Sequence, residues 1–186
     1  MIVRVATIAD VPALQALIAR SVRELSAGFY TTAQIEAALI AVFGVDTQLI
    51  ADGTYYVIDA ASGPAAAGGW SFRRTLYGGD QMKGAADLRL DAATESARIR
   101  AFFVHPEWTR RGLASALFAE CSRAALAAGF RTFELMATLP GEPLYEALGF
   151  SALERTSTSL GGGVGLPLVR MTRRIGERVE RRDLRS

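Results

Sequence analysis

The hydrophobic pattern alternates between the periods of strands and of helices. Ile2, Val3 and Val5 read as a first strand. Asp10 then offers an N-cap and Pro12 sits in the first turn of a helix carried by Leu14, Leu17, Ile18 and Val22. A break at 26–30 separates it from a second helix, capped by Thr31 or Thr32 and running through Ile35, Leu39 and Val42. Tyr55–Ile58 is a strand, Ser62-Gly63-Pro64 a turn, and Ala66–Phe72 the return strand of a hairpin. Gly68 and Gly69 inside that strand mark weak pairing or a close approach by another group. Residues 73–96 are polar and irregular, a long connection of the kind that carries function or moves.

The second half is more regular. Arg98 and Arg100 alternate with Ile99 and Ala101, after which Phe102-Phe103-Val104 is continuously apolar, as in a strand whose later half is buried. Gly112 to Gly129 is a helix with an inner stripe of Leu113, Leu117, Cys121, Ala124 and Ala128, and Gly129 suits its C-terminal cap. Thr132–Ala137 is a strand, Glu142–Leu148 a short helix closed by Gly149, and 150–160 with 166–172 a final hairpin around Gly161–Gly165. The order β-α-α-β-β-β-α-β-α-β-β predicts a mixed α/β architecture. Its twisted sheet is mostly antiparallel, with one parallel pair made by the β-α-β crossover and helices on both faces.

Length and composition narrow the class. At 186 residues, half of them hydrophobic, the expectation is one domain over 1–173 with a basic tail at 174–186. Residues 171–186 hold six arginines against three acids, a local excess of +3 in a chain of net charge +2. A solvated tail accounts for this without a nucleic-acid partner. No run reaches the roughly 18 apolar residues needed to span a bilayer, and no signal peptide is evident, so the expectation is a cytoplasmic protein without a membrane partner. One cysteine, Cys121, and one histidine, His105, exclude an intrachain disulfide and argue against a metal site. Cys121 lies in the helical stripe and reads as a core residue.

Candidate chemistry lies between 97 and 150. A strand leading through Arg110-Arg111-Gly112-Leu113-Ala114 into a helix leaves free N–H groups at the helix start, which suits a phosphate or pyrophosphate. One strand later Tyr145 could donate a proton beside it. Val104 and Pro106, the run Thr109-Arg110-Arg111-Gly112-Leu113-Ala114, and Leu144-Tyr145-Glu146-Ala147-Leu148-Gly149-Phe150 together resemble the GCN5-related N-acetyltransferases, the GNAT superfamily. Thr109 stands where that family has Gln or Arg, and Thr138 and Gly141 where Asn and Ala are common.

The resemblance implies a GNAT-like acyl-CoA N-acyltransferase fold and acetyl-CoA as donor. A bulge would splay the 97–104 strand from the 132–137 strand, with the cofactor in the gap. Phe103 and Val104 would hold the pantetheine arm and the acetyl carbonyl. The amides of Arg110, Arg111, Gly112, Leu113, Ala114 and Ser115, with Thr109 beside them, would wrap the pyrophosphate. Tyr145 would be the general acid, and a primary amine on a small molecule or peptide would attack the thioester directly. A non-catalytic acyl-CoA sensor is the alternative. The general base is open among Glu134, Asp46, Glu142, His105 and water. Trp70, Phe29, Tyr30, Tyr55 and Tyr56 are either acceptor-pocket or core aromatics. A homodimer is compatible with this reading, and the acceptor is not named by it.

Overall fold

A computed structural model of the chain describes residues 2–84 and 86–176. The strands are β1 (Val3–Val5), β2 (Tyr55–Ala60), β3 (Gly63–Ser71), β4 (Ala97–Val104), β5 (Thr132–Thr138), β6 (Ser151–Ser159) and β7 (Gly165–Arg174). The helices are α1 (Val11–Leu25), α2 (Thr32–Ala41), α3 (Thr47–Ala51), α4 (Leu113–Ala127) and α5 (Glu142–Ala147). All seven strands form one sheet in the order β1-β2-β3-β4-β5-β7-β6, and every neighbouring pair is antiparallel except β4–β5. Residues 177–186, which hold most of the anticipated basic tail, lie outside the described residues; Arg173 and Arg174 are still within β7.

Apolar groups fill both faces of the sheet. In β2, Tyr56 and Ile58 join a core shared with Leu117, Phe118 and Cys121 of α4, while Tyr55 and Val57 join a second core with Leu14, Leu17 and Ile18 of α1. Side chains alternate along a strand, so helices on both faces bury both sets, and the first four residues of β2, Tyr55–Ile58, read as an unbroken apolar run. Cys121 is fully buried, and burial pushes its thiol pKa well up.

Several helix ends follow local chemistry. Thr31 caps α2 through its side chain, and Gln34 answers from the third position in a capping box. Gly129 and Gly149, both at positive φ, close α4 and α5. Three expectations are corrected. Asp10 stands at the N-cap position of α1, but its side chain does not cap that helix: the carboxylate accepts from Arg4 and from the Thr7 amide across the short 3-10 turn Ile8–Asp10 ahead of it. The buried stripe of α4 takes in Phe118 and Ala125 and leaves Ala128 exposed, because the helix stops at Ala127. The five-residue α3, with Asp46 accepting from the Gln48 amide at its start, was not anticipated; it is too short to show a period.

The long connection 73–96 is anchored despite its irregularity. Arg100 of β4, whose side chain is 1% exposed, donates to Asp46 Oδ2 at 2.8 Å, to Thr75 O at 2.7 Å and to Gly78 O at 2.6 Å. Lys83 pairs with the other oxygen of Asp46. One buried carboxylate therefore joins β4, the start of α3 and both sides of a strap formed by residues 75–83. Removing it would strand a buried guanidinium. Asp46→Ala is expected to lower the unfolding free energy by about 3 kcal/mol or more, measured by urea denaturation. A loss under about 1 kcal/mol would mean that Arg100 is held by the carbonyls alone.

Candidate active site

β4 and β5 pair only at Ala97–Phe133 and Arg98–Glu134 and then diverge. The cause is a bulge in β4. Its register with β3 shifts between Ala67–Phe103 and Gly69–Arg100, so Ala101 and Phe102 together face Gly68. Ala101 has φ +53, left-handed backbone for a residue with a side chain. The buried Tyr55 hydroxyl donates to Ala101 O at 3.1 Å, satisfying the carbonyl that the bulge displaces. Across the ladder, a Cβ at position 68 would lie 2.5 Å from Phe102 Cδ2, and one at position 69 would lie 2.5 Å from Thr54 O. The glycine pair in β3 therefore marks two close approaches, one by the Phe102 ring and one by backbone.

Past the bulge, the His105 amide donates to Ala65 O at 2.8 Å. Ala66 and Val104 are then opposite each other at a non-hydrogen-bonded position. The Val104 N–H thus points away from β3, toward the side from which β5 has departed. A cavity of about 210 Å³ opens there, walled by Phe102, Phe103 and Val104 of β4, Met136 and Thr138 of β5, and Leu144 and Tyr145 of α5. Val22 and Leu25 of α1, Phe43, and Leu76 and Tyr77 of the strap close the other side.

Tyr145 is buried, and its ring packs against Phe102 and Phe150 at centroid distances of 6.4 Å and 5.7 Å. Among the described residues, no group hydrogen-bonds to its hydroxyl. Desolvation raises its pKa well above the ordinary tyrosine value, so the phenol is neutral at all physiological pH.

Beyond β4, a 3-10 turn over Pro106–Trp108 leads to Thr109 and α4. Arg110 has φ +61 and Gly112 φ +78, on either side of Arg111. Alternation of left- and right-handed residues turns successive N–H groups toward one side, the geometry of an anion-binding nest. Among the described residues, no carbonyl or side chain accepts from the amides of Arg110 through Ser115. Open space adjoins Gly112, and the Arg111 guanidinium lies over the Trp108 ring at 4.5 Å. The Thr109 hydroxyl donates to Pro106 O at 3.0 Å, so it holds the turn.

The candidate bases are engaged elsewhere. Glu134 sits at the closed end of the β4–β5 pair between Arg98, at 2.7 Å, and Arg170. Burial opposes its ionisation, but the two guanidinium groups prevail and hold its pKa below the usual carboxylate value. Asp46 is the counter-ion of Arg100 and Lys83; Glu142 pairs with Arg155 at 2.7 Å; His105 Nδ1 accepts from the Glu107 amide at 3.3 Å. None of the four lines the cavity. Trp70, Tyr30, Tyr55 and Tyr56 are core residues, Phe29 is exposed, and the aromatic walls are Phe43, Tyr77, Phe102, Phe103 and Tyr145. Arg100 was missed, legible only as a polar position in a strand that helices cover on both faces; the 73–96 connection was read as one that carries function or moves, without its part in the cavity wall.

The model of an acetyltransferase (GNAT) domain matches residues 72–174. Among curated proteins, no sequence match was found. Solved structures of similar fold include a GCN5-related N-acetyltransferase from Rhodopseudomonas palustris, 19% identical, with a TM-score of 0.67 over 93% of this chain and 94% of that one. A PaiA N-acetyltransferase from Thermoplasma acidophilum, in complex with coenzyme A, is 15% identical, with a TM-score of 0.62 over 93% and 98%. The ribosomal-protein-S18-alanine N-acetyltransferase of Escherichia coli is 15% identical, with a TM-score of 0.58 over 97% of each chain. Among the described residues, no helix is long and apolar enough to cross a membrane.

The two tyrosines that define the gap, Tyr55 and Tyr145, set an alkaline limit on stability. Burial raises both phenol pKa values. The folded chain therefore keeps protons that the unfolded chain releases above about pH 10. Their contribution is complete below that pH and declines as pH rises beyond it. Thermal melts between pH 8 and 11.5 should show this fall, and Tyr145→Phe should make it shallower. A melting temperature that stays level through pH 11.5 would contradict the burial of both phenols.

Proposed function

Because the chain belongs to the GNAT acetyltransferase family, we propose that it is an N-acetyltransferase that passes the acetyl group of acetyl-CoA to a primary amine by direct attack. The observation that carries this reading is the run of six free amides, Arg110 through Ser115, in the loop and helix start that follow β4, together with the gap opened by the β4 bulge and faced by Tyr145. The co-substrate supplies a thioester carbonyl. The amides of Arg110 to Ser115 would bind its pyrophosphate, with the exposed Arg110 and Arg111 adding charge. Phe103 and Val104 would line the pantetheine arm. The Val104 N–H would hold the carbonyl oxygen as negative charge develops on it. That a relative of the same fold was crystallised with coenzyme A supports the choice of donor.

The reaction balances without an external acid. Nitrogen forms a bond to the carbonyl carbon, the carbon–sulfur bond breaks, and the proton lost by nitrogen matches the one gained by sulfur. Tyr145 would donate a hydrogen bond to the departing sulfur and relay that proton. Its raised pKa makes it a weak acid, but a thiolate leaving in the same desolvated gap has a raised proton affinity as well. Water would take the amine's first proton, since none of the four candidate bases lines the cavity. We take residues 1–173 as the transferase domain.

A second reading, a non-catalytic acyl-CoA-binding module, is favoured by that same lack of a base. Calorimetric titration with acetyl-CoA separates a binding site from a bare fold. Wild type should bind, and Gly112→Glu should abolish binding by placing a carboxylate against the pyrophosphate. Gly112→Ala, which shares the left-handed strain of about 1 kcal/mol without the charge, should retain most of it. No binding by wild type would sink both readings. With an acceptor present, Tyr145→Phe should lower kcat about 10²-fold or more with little change in acetyl-CoA affinity. Binding without turnover of any amine would favour the module.

A further inference from the structure

The acceptor side of the cavity has an unusual charge composition for a site that is to receive an amine. Its walls there are Val22, Leu25, Phe43, Leu76, Tyr77 and Met136. Among the described residues, no aspartate, glutamate or histidine lines it. Among the described residues its one charged lining group is Arg100, a cation, already engaged by Asp46 and two carbonyls. The other titratable groups facing it are the phenols of Tyr77 and Tyr145. Tyr77 donates to Thr158 Oγ1 at 3.1 Å, and Tyr145 is held neutral by burial.

Most carboxylates on the surrounding elements already have partners, Asp80 of the strap accepting from the Thr47 amide at 3.0 Å and facing Lys83. Glu24 of α1 pairs with Arg20, Glu36 of α2 with Arg23, Glu134 of β5 with Arg98 and Arg170, and Glu142 of α5 with Arg155. Glu146 of α5 is exposed. Asp46 stands behind Arg100, 1% exposed, and Lys83 takes its second oxygen.

Two consequences follow for whatever enters. A second ammonium on the acceptor would have to leave water for an apolar wall beside a guanidinium, with nothing to pair it. The reacting amine must shed its proton without a protein carboxylate to take it. Desolvation helps by favouring the neutral form, but the supply of neutral amine is still set by its own basicity. At pH 7.5 an α-amino group near pKa 7.8 is about one-third neutral, whereas a lysine-like amine near 10.4 is neutral in only about one molecule in a thousand.

We propose that the acceptor is a monoamine of low basicity on an apolar body with no second positive charge. Lysine side chains, polyamines and aminoglycosides are thereby excluded as preferred substrates. This rests on the acetyltransferase reading above and adds the substrate class to it. Phe43, Leu76 and Leu25 receive the apolar body, and the strap held by Arg100 supplies one wall. The low-basicity requirement and the single-charge requirement come from the same absence of acid.

The test uses the full chain at pH 7.5. Acetyl-CoA binding is first measured by calorimetry, and release of the coenzyme A thiol is then followed with four acceptors: phenylalaninamide, 4-methylaniline, N-α-acetyl-lysinamide and spermidine. One of the first two should have a kcat/KM at least about ten-fold above both of the others, which is the discrimination expected from neutral fraction and charge burial together. The ascending limb of kcat/KM against pH should move with the pKa of the amine supplied rather than stay fixed at one protein pKa. A lysine derivative or spermidine turned over as well as the apolar amines overturns the proposal. So does acetyl-CoA binding without turnover of either apolar amine. Failure to bind acetyl-CoA instead overturns the transferase reading. Leu25→Glu on the half-buried rim should shift the preference toward spermidine about ten-fold, and Leu76→Glu repeats the shift from the strap if the first variant does not fold. A preference unmoved by either carboxylate counts against the proposal.

Discussion

The bulge at Ala101–Phe102 is the constraint on which the site depends. Without it β4 and β5 would continue as a regular parallel pair. The Val104 N–H would then meet a carbonyl of β5, and the cavity would be filled by the sheet itself. A left-handed alanine is costly by about 1–3 kcal/mol, so the surroundings must over-determine it. They do so from three directions. Gly68 leaves room for the Phe102 ring, the Tyr55 hydroxyl satisfies Ala101 O, and Arg100 is fastened one residue earlier by Asp46 and two strap carbonyls. The strain is local, and its supports come from β2, β3 and the connection after β3.

The two arginines of β4 divide the strand functionally. Arg98 is tied to Glu134 at the closed end, where β4 and β5 still pair. Arg100 is tied to Asp46 at the start of the divergence. A buried ion pair is weak evidence for net stability, since desolving two charges offsets much of their attraction. It is better evidence for positioning, because a misplaced partner leaves an uncompensated charge. Seen this way, Glu134 clamps the pair shut and Asp46 ties the strap down beside the opening. The irregular connection 73–96 is part of the same construction, because its first part walls the cavity.

Much of this architecture was legible in the sequence, and the limits of that legibility have a physical pattern. The strand and helix order, the parallel pair, the capping of α2 and the glycine ends of α4 and α5 are local or near-local properties, and hydrophobic period and cap chemistry report them. The free amides of the loop from Arg110 to Gly112 were legible because they belong to backbone at a helix start. What failed were inferences that needed a partner far along the chain. Glu134 and Asp46 look like free carboxylates until Arg98, Arg100 and Arg170 are brought beside them. The glycine pair in β3 announced a close approach without saying by what. The aromatics expected around the acceptor went to the two cores, since a sheet covered on both faces buries large side chains at consecutive positions.

An enzyme that recruits an amine usually has to hold a cation and then take away its proton, and one carboxylate can do both. Here the carboxylates are committed to arginines, and the cavity is apolar. That trade changes which property of the acceptor matters. With an acidic pocket, charge attracts the substrate and a base then overcomes its basicity, so strongly basic amines are acceptable. With an apolar pocket, the protonated amine is disfavoured at the outset, and the neutral fraction limits both binding and attack. On the proposed reading, specificity and reactivity then have one origin: the carboxylates around the gap that could supply acid are already committed to cationic partners.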